Sequence, residues 1–279
     1  MERMSHNNQK KIAVINDISG FGRCSITVAL PIISHMKVQC CPLPTSILSN
    51  HTGYEHYFFE DYTRNMREFI ENWKKLGLKF DGIATGFLGS KEQIRIVEEF
   101  ISEFRIGNTK VIVDPVMGDN GELYPTYTKQ MQMEMKKLAA RADILTPNLT
   151  EACFLTDTPY RGVSWKMSEL YDMANKLIQL GSKKVVISGI PMGNYLGNVV
   201  YEEDGNKCII RSRRVANERA GTGDIFSSIL AADAVNGIDL AESVRKAAGF
   251  IKQCMVVTDE KQIPSEDGVC FEEILYKLK

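Results

Sequence analysis

The chain has 279 residues, 44% hydrophobic and 25% charged, with 34 basic side chains against 35 acidic ones. A net charge of -1 provides no general attraction for nucleic acid or an anionic membrane, and no stretch approaches the roughly 18 apolar residues of a membrane-spanning helix. What remains is an ordinary globular chain, read as one domain over residues 1–279.

Residues 1–10 are polar and lack the apolar core of a signal peptide, so they read as a tail on a cytoplasmic protein. Residues 11–16 (KIAVIN) form a β-rich run that ends on Asp17, Ser19, Gly20 and Gly22. Helical spacing of apolar residues follows at 61–76 and 91–104, then a strand at 111–114, a helix at 127–141 and a strand at 143–146. A helix at 164–180 precedes a strand at 184–188, after which Ser188 to Asn194 reads as a glycine-rich loop. Residues 197–201 and 207–211 read as a hairpin turning at Asp204-Gly205, and helices at 224–235, 240–254 and 271–279 close the chain. This alternation predicts an α/β fold, a mostly parallel central sheet with helices on both faces. In such sheets ligands bind beyond the carboxyl ends of the strands, so Asp17, Asp114, Asn148 and Ser188 are candidates by position.

The stretch from Asn217 to Ser227 carries the clearest chemistry, centred on Ala220-Gly221-Thr222-Gly223-Asp224. Small residues bring several backbone N–H groups to one point at a helix start, where the positive end of the helix dipole suits a phosphoryl group. A carboxylate beside them could accept the proton of an attacking hydroxyl, although the same turn can be a plain helix start with a capping Asp. No Walker loop is present, since Gly181-Ser-Lys-Lys lacks the first glycine and the final hydroxyl, and the protein-kinase motifs are missing. Seven scattered cysteines without a C-x-x-C pair are expected to be reduced thiols. Arg211, Arg213 and Arg214 form a basic cluster that reads as solvated surface.

The block Ala220-Gly-Thr-Gly-Asp-Ile-Phe-Ser-Ser resembles the second signature of the ribokinase-like superfamily. Ser49-Asn-His-Thr-Gly-Tyr54, Thr85-Gly86-Phe87, Asp114-Pro-Val-Met-Gly-Asp119 and Thr146-Pro-Asn-Leu-Thr-Glu151 resemble, in order, motifs of the pyridoxal kinases in that superfamily. The resemblance implies a single-domain ribokinase-like fold and ATP-dependent phosphorylation of the 5′-hydroxymethyl of pyridoxal, pyridoxine or pyridoxamine. It implies Asp224 as general base, with Gly221, Thr222 and Gly223 as the anion hole. It places Asp114, Asn148, Glu151 and Ser188 at ATP, and Mg²⁺ at Asp114 and Glu151, with K⁺ as an accessory cation. Thr52, Gly53 and Phe87 would meet the substrate ring, with Asp17 and then Ser19 after strand one, and the protein would be a homodimer. His51 is more simply a structural ring than a catalyst. The run Asp17 to Gly22 departs from the pyridoxal kinases and is closer to the hydroxymethylpyrimidine kinases of thiamine synthesis, the alternative reading. A non-catalytic pyridoxal phosphate carrier on the same fold is the alternative outside enzymes.

Overall fold

The computed structural model describes residues 4–215 and 219–278. The first three residues of the expected tail, Asn217 and Glu218 of the small-residue stretch and Lys279 of the last expected helix lie outside them. The strands are β1 Lys11–Phe21, β2 Gln39–Asn50, β3 Phe59–Asp61, β4 Gly82–Thr85, β5 Lys110–Val113, β6 Gly118–Asp119, β7 Glu122–Leu123, β8 Ile144–Leu145, β9 Lys184–Met192, β10 Tyr195–Glu202 and β11 Lys207–Arg213. The helices are α1 Ser25–His35, α2 Thr63–Lys75, α3 Lys91–Phe104, α4 Lys129–Ala139, α5 Leu149–Leu155, α6 Met167–Leu180, α7 Thr222–Asn236 and α8 Leu240–Glu260.

Nine strands form one sheet in the order β11-β10-β9-β8-β5-β4-β1-β2-β3. The six from β9 to β2 are parallel, and antiparallel strands extend both edges. Side chains alternate faces along a strand. Ile12, Val14, Ile112 and Val186 therefore pack with α1, α7 and α8, while Ala13, Ile15, Val111, Val113, Val185 and Ile187 pack with α2 to α6. Burial on both faces explains why KIAVI, KVIV and KVVI are unbroken apolar runs rather than alternating ones.

Several elements depart from the sequence expectation. Helix α1 lay hidden because Ile26, Thr27, Val28 and Pro31 all disfavour a helix; burial of Ile26, Ala29, Ile32 and Ile33 against the sheet and α7 overrides propensity. Strand β2 contains Pro42 and Pro44, which are tolerated where it is the sheet edge, since β3 covers only Ser46–Leu48. Ser188 to Met192 is not a loop: β9 runs on through it and turns at Gly193 and Asn194 into β10. The last expected helix is a 3-10 turn, Glu272–Lys277, anchored by buried Phe271, Ile274 and Leu278. Asn7 of the tail is tied to Gly77 O and Lys79 N–H. Among the described residues no helix is long and apolar enough to cross a membrane, and all seven cysteines are free.

Candidate active site

The sheet reverses its winding at β1, which lies between β2 on one side and β4 on the other, so a crevice opens beyond the carboxyl ends of β1, β4 and β5. Helix α7 begins there. Its first helical bond runs from Ile225 N–H to Gly221 O at 3.0 Å, which leaves the amides of Thr222 and Gly223 without an intrahelical acceptor. Gly221 turns the chain with φ of +82°, and a Cβ there would lie 2.0 Å from Arg23 O. No other residue fits. Gly223 is exposed and open above, so the turn is a bare set of donors at the positive end of a buried helix.

Asp224 sits in the first turn of α7. Burial pushes its carboxyl up to about 6, and the nearby Asp17 charge pushes the same way; the Ser25 amide and the Asn16 side chain, whose Nδ2 lies 3.4 Å from Oδ1, oppose this. Asp114, just after β5, is pushed up to about 8, first by burial and then by the charge of Asp224, with the Ser227 hydroxyl opposing. The two carboxyls thus penalise each other's ionisation. A group that takes up or loses a proton near neutrality, beside orphan amides, can accept a proton from an alcohol.

Asn16 braces this arrangement. Its Oδ1 accepts from Phe87 N–H at 2.8 Å and Asp17 N–H at 2.9 Å, while its Nδ2 faces Asp224. Ser25 adopts φ of +54°, a left-handed conformation uncommon outside glycine, and its amide serves Asp224 while its hydroxyl donates to Asp17 at 2.5 Å. Sequence reasoning missed Asn16, Ser25 and Ser227. For Asn16 a signal existed: a lone amide in the apolar run KIAVIN is a buried polar residue, the informative kind.

The other expected residues are placed as follows. Ser19 is wholly buried and Asp17 nearly so, and the two Asp17 oxygens accept from Ser25 and Ser19 hydroxyls, so neither side chain lines the open crevice. Thr52 and Gly53 lie exposed on the loop after β2. His51 beneath them accepts from Gly53 N–H on Nδ1 at 3.1 Å, which leaves Nε2 to donate to Glu266 O at 2.7 Å. Phe87 is half-buried, its backbone fixed by Asn16 and by the Thr45 hydroxyl. Glu151 is buried, and its carboxylate accepts from Met117 N–H at 3.1 Å and Asn148 N–H at 2.8 Å, in a capping box that starts α5. The Asn148 side chain accepts from Glu151 N–H and donates to Gly118 O. Ser188 in β9 is bridged to Asn148 and its amide donates to Pro147 O. Arg211 and Arg213 are exposed on the terminal strand β11.

Among the described residues no cluster of three or more His, Cys, Asp and Glu could hold a metal on its own. Mg²⁺ does not need one, because it takes one or two carboxylates and completes its shell with water and phosphates. Asp114, partly accessible and beside Asp224, has the carboxylate chemistry for that role, whereas both Glu151 oxygens are already bonded. A larger groove of about 510 Å³, lined by Arg95, Glu98, Glu99, Ser102, Glu103 and Arg141, contains none of these groups and is a mixed-charge surface of α3.

Residues 29–268 match the family of phosphomethylpyrimidine kinases. A Bacteroides thetaiotaomicron protein assigned to those kinases is 38% identical, covers 99% of this chain and 96% of its own, and superposes with a TM-score of 0.96. A second crystal form of it, with pyridoxal, gives 37% identity and a TM-score of 0.93 over 97% and 96% of the two chains. The pyridoxine/pyridoxal/pyridoxamine kinase of Bordetella avium is 27% identical over 88% of this chain and 86% of its own. A Caenorhabditis elegans protein named for pyridoxal kinase is 28% identical over 74% of this chain, which spans 65% of the nematode protein. With the match running from within α1 to the turn after α8, and so taking in the carboxyl ends of β4 and β5 and the start of α7, the chain belongs to the phosphomethylpyrimidine kinase family, phosphotransferases of ribokinase-like fold.

Proposed function

We propose that the protein transfers the γ-phosphoryl group of ATP to the hydroxymethyl group of a B6 vitamer, whether pyridoxal, pyridoxine or pyridoxamine. One observation carries the reading: a carboxyl held at about 6, in the first turn of a helix whose leading amides are free. Asp224 takes the hydroxyl proton while Gly221, Thr222 and Gly223 direct donors at the transferring group, whose charge is spread over its oxygens. Thr52, Gly53 and Phe87 border the ring. Asp17 and Ser19 act from behind, through Ser25, on the base. Asp114, Asn148 and Ser188 line the nucleotide side, with Glu151 buried behind them. Mg²⁺ at Asp114, with Glu151 supporting from the second layer, would neutralise phosphate charge when bound, and K⁺ would assist. The chain works as a homodimer in the cytoplasm, and light scattering in solution tests the assembly.

Pyridoxal in the crystals of a 37% identical relative favours the pyridine over the pyrimidine. The family match and the run Asp17 to Gly22 favour hydroxymethylpyrimidine as the second substrate class. Comparing kcat/KM on both alcohols by coupled ADP release decides: a tenfold preference for the pyrimidine overturns the vitamer reading. Asp224→Asn should lose about 10²- to 10⁴-fold in kcat, the size of general-base assistance; parental turnover would remove Asp224 from the chemistry.

A further inference from the structure

Between the end of α8 and the closing 3-10 turn, residues 263–268 receive donors from three segments far apart in sequence. Arg219, just before the anion-binding turn, donates from Nη1 to Ile263 O. His51 donates from Nε2 to Glu266 O at 2.7 Å, and the Tyr54 hydroxyl donates to Asp267 Oδ1 at 2.9 Å. Arg23, after β1, donates from its amide and from Nη1 to Asp267 O, both at 3.2 Å. Its Nε then pairs with Glu272 at 2.7 Å. Arg23 also lies directly under Gly221, so the same backbone that the clasp holds forms the floor of the anion turn. Burial of Tyr54, and then the hydrogen bond to the Asp267 carboxylate, push the phenol up to about 12, which keeps it a donor.

We propose that residues 263–268 are a clasp that holds the acceptor loop, residues 51–54, in register with the phosphoryl-binding turn, residues 221–223. Tyr54, Asp267 and Arg219 are then positioning residues, acting through the two segments they join rather than on the reactants. The inference rests on the reading that the 51–54 loop meets the vitamer and that the 221–223 turn meets the phosphoryl group. Its physical basis is that transfer needs both partners in near-attack geometry, where a misplacement of about 1 Å is costly. Among the described residues Arg219 makes no hydrogen bond to the 51–54 loop, and its hydrogen-bonded route to that loop runs through Ile263 O and the neighbouring Glu266 and Asp267.

Hydrogen exchange and kinetics on the full chain test it. Tyr54→Phe and Asp267→Ala should speed exchange of the 51–58 amides and raise KM for the vitamer roughly 2- to 10-fold, the worth of one net hydrogen bond, with KM for ATP within about twofold. Asp267→Asn keeps an acceptor and should restore most of both. Arg219→Met should speed exchange at 51–58 as well as at 221–224, and combined with Tyr54→Phe it should be non-additive. Exchange at 51–58 unchanged in Arg219→Met, or an Asp267→Asn protein as impaired as Asp267→Ala, overturns the clasp. The exchange arm needs no substrate, so a chain that turned over no B6 vitamer would sink the proposed function and leave the clasp to be judged on exchange alone.

Discussion

Asp224 is unprotonated and able to act as a base only above about pH 6, because burial raises its carboxyl. The expected kcat/KM profile therefore falls on the acid side with a single-proton limb centred near pH 6, measured by ADP release across pH. The same shift makes a stability statement. The folded value lies above the unfolded one of 3.8, so between these pH values the native state binds a proton that the unfolded chain has released. Stability from this group falls as pH rises through that window. Asp224→Asn should thus be more stable than the parent by about 1–2 kcal/mol at pH 7, after discounting for partial exposure, with the gain gone by about pH 4. Thermal melts at the two pH values measure it. At this scale the sequence displayed Asp224 and its glycines as a candidate, since the turn alone could equally be a plain helix start, and the resemblance of the surrounding motifs favoured the phosphoryl reading. It could not display Ser25, whose contribution is a backbone amide aimed by a positive φ, with nothing in the serine to announce it.

The ends of β1 and β4 show how closely two elements must approach to orient one side chain. A Cβ on Gly86 would lie 2.3 Å from Asn16 Nδ2. Gly86→Ala should push Asn16 out of its brace, removing its contact with Asp224 and the acceptor for Phe87 N–H. A loss near tenfold in kcat is expected, about one hydrogen bond, with KM for ATP little changed. Steady-state kinetics alongside urea melts separate this from simple destabilisation. Helix α3 was legible residue for residue, since its apolar positions recur at three and four and Ser90 caps its start. Helix α1 and strand β2 were not, because Pro31, Pro42 and Pro44 argue locally against what the tertiary setting permits. Strand β9 outran its expected end for a related reason: pairing with β10 carries Gly189 and Pro191, both poor strand formers, into the sheet.

Across the whole molecule the sheet divides two cores, and the candidate site lies at the carboxyl end of the strands, where α7 of one layer meets the start of α5 of the other. On the far side, Phe100 is buried among Trp73, Phe80 and Phe104, and Phe80 precedes β4 at the amino end of the strands. Phe100→Ala should cost about 3–5 kcal/mol in chemical denaturation yet leave kcat within about twofold where the protein stays folded. Alternation of strand-like and helix-like runs made the layered class readable from the chain. The strand order was not, since most of the pairing joins residues tens of positions apart, and only the resemblance of ordered motifs pointed to it.

The double hydrogen bonding of Glu151 has an implication for how such chains are sorted. Its carboxylate joins the start of α5 to the segment after β5, so Thr146 to Glu151 would be retained by any descendant that keeps the architecture, even one that no longer turns over. That hexapeptide therefore speaks for architecture, and under the proposed mechanism activity is to be read at the aspartate in the first turn of α7.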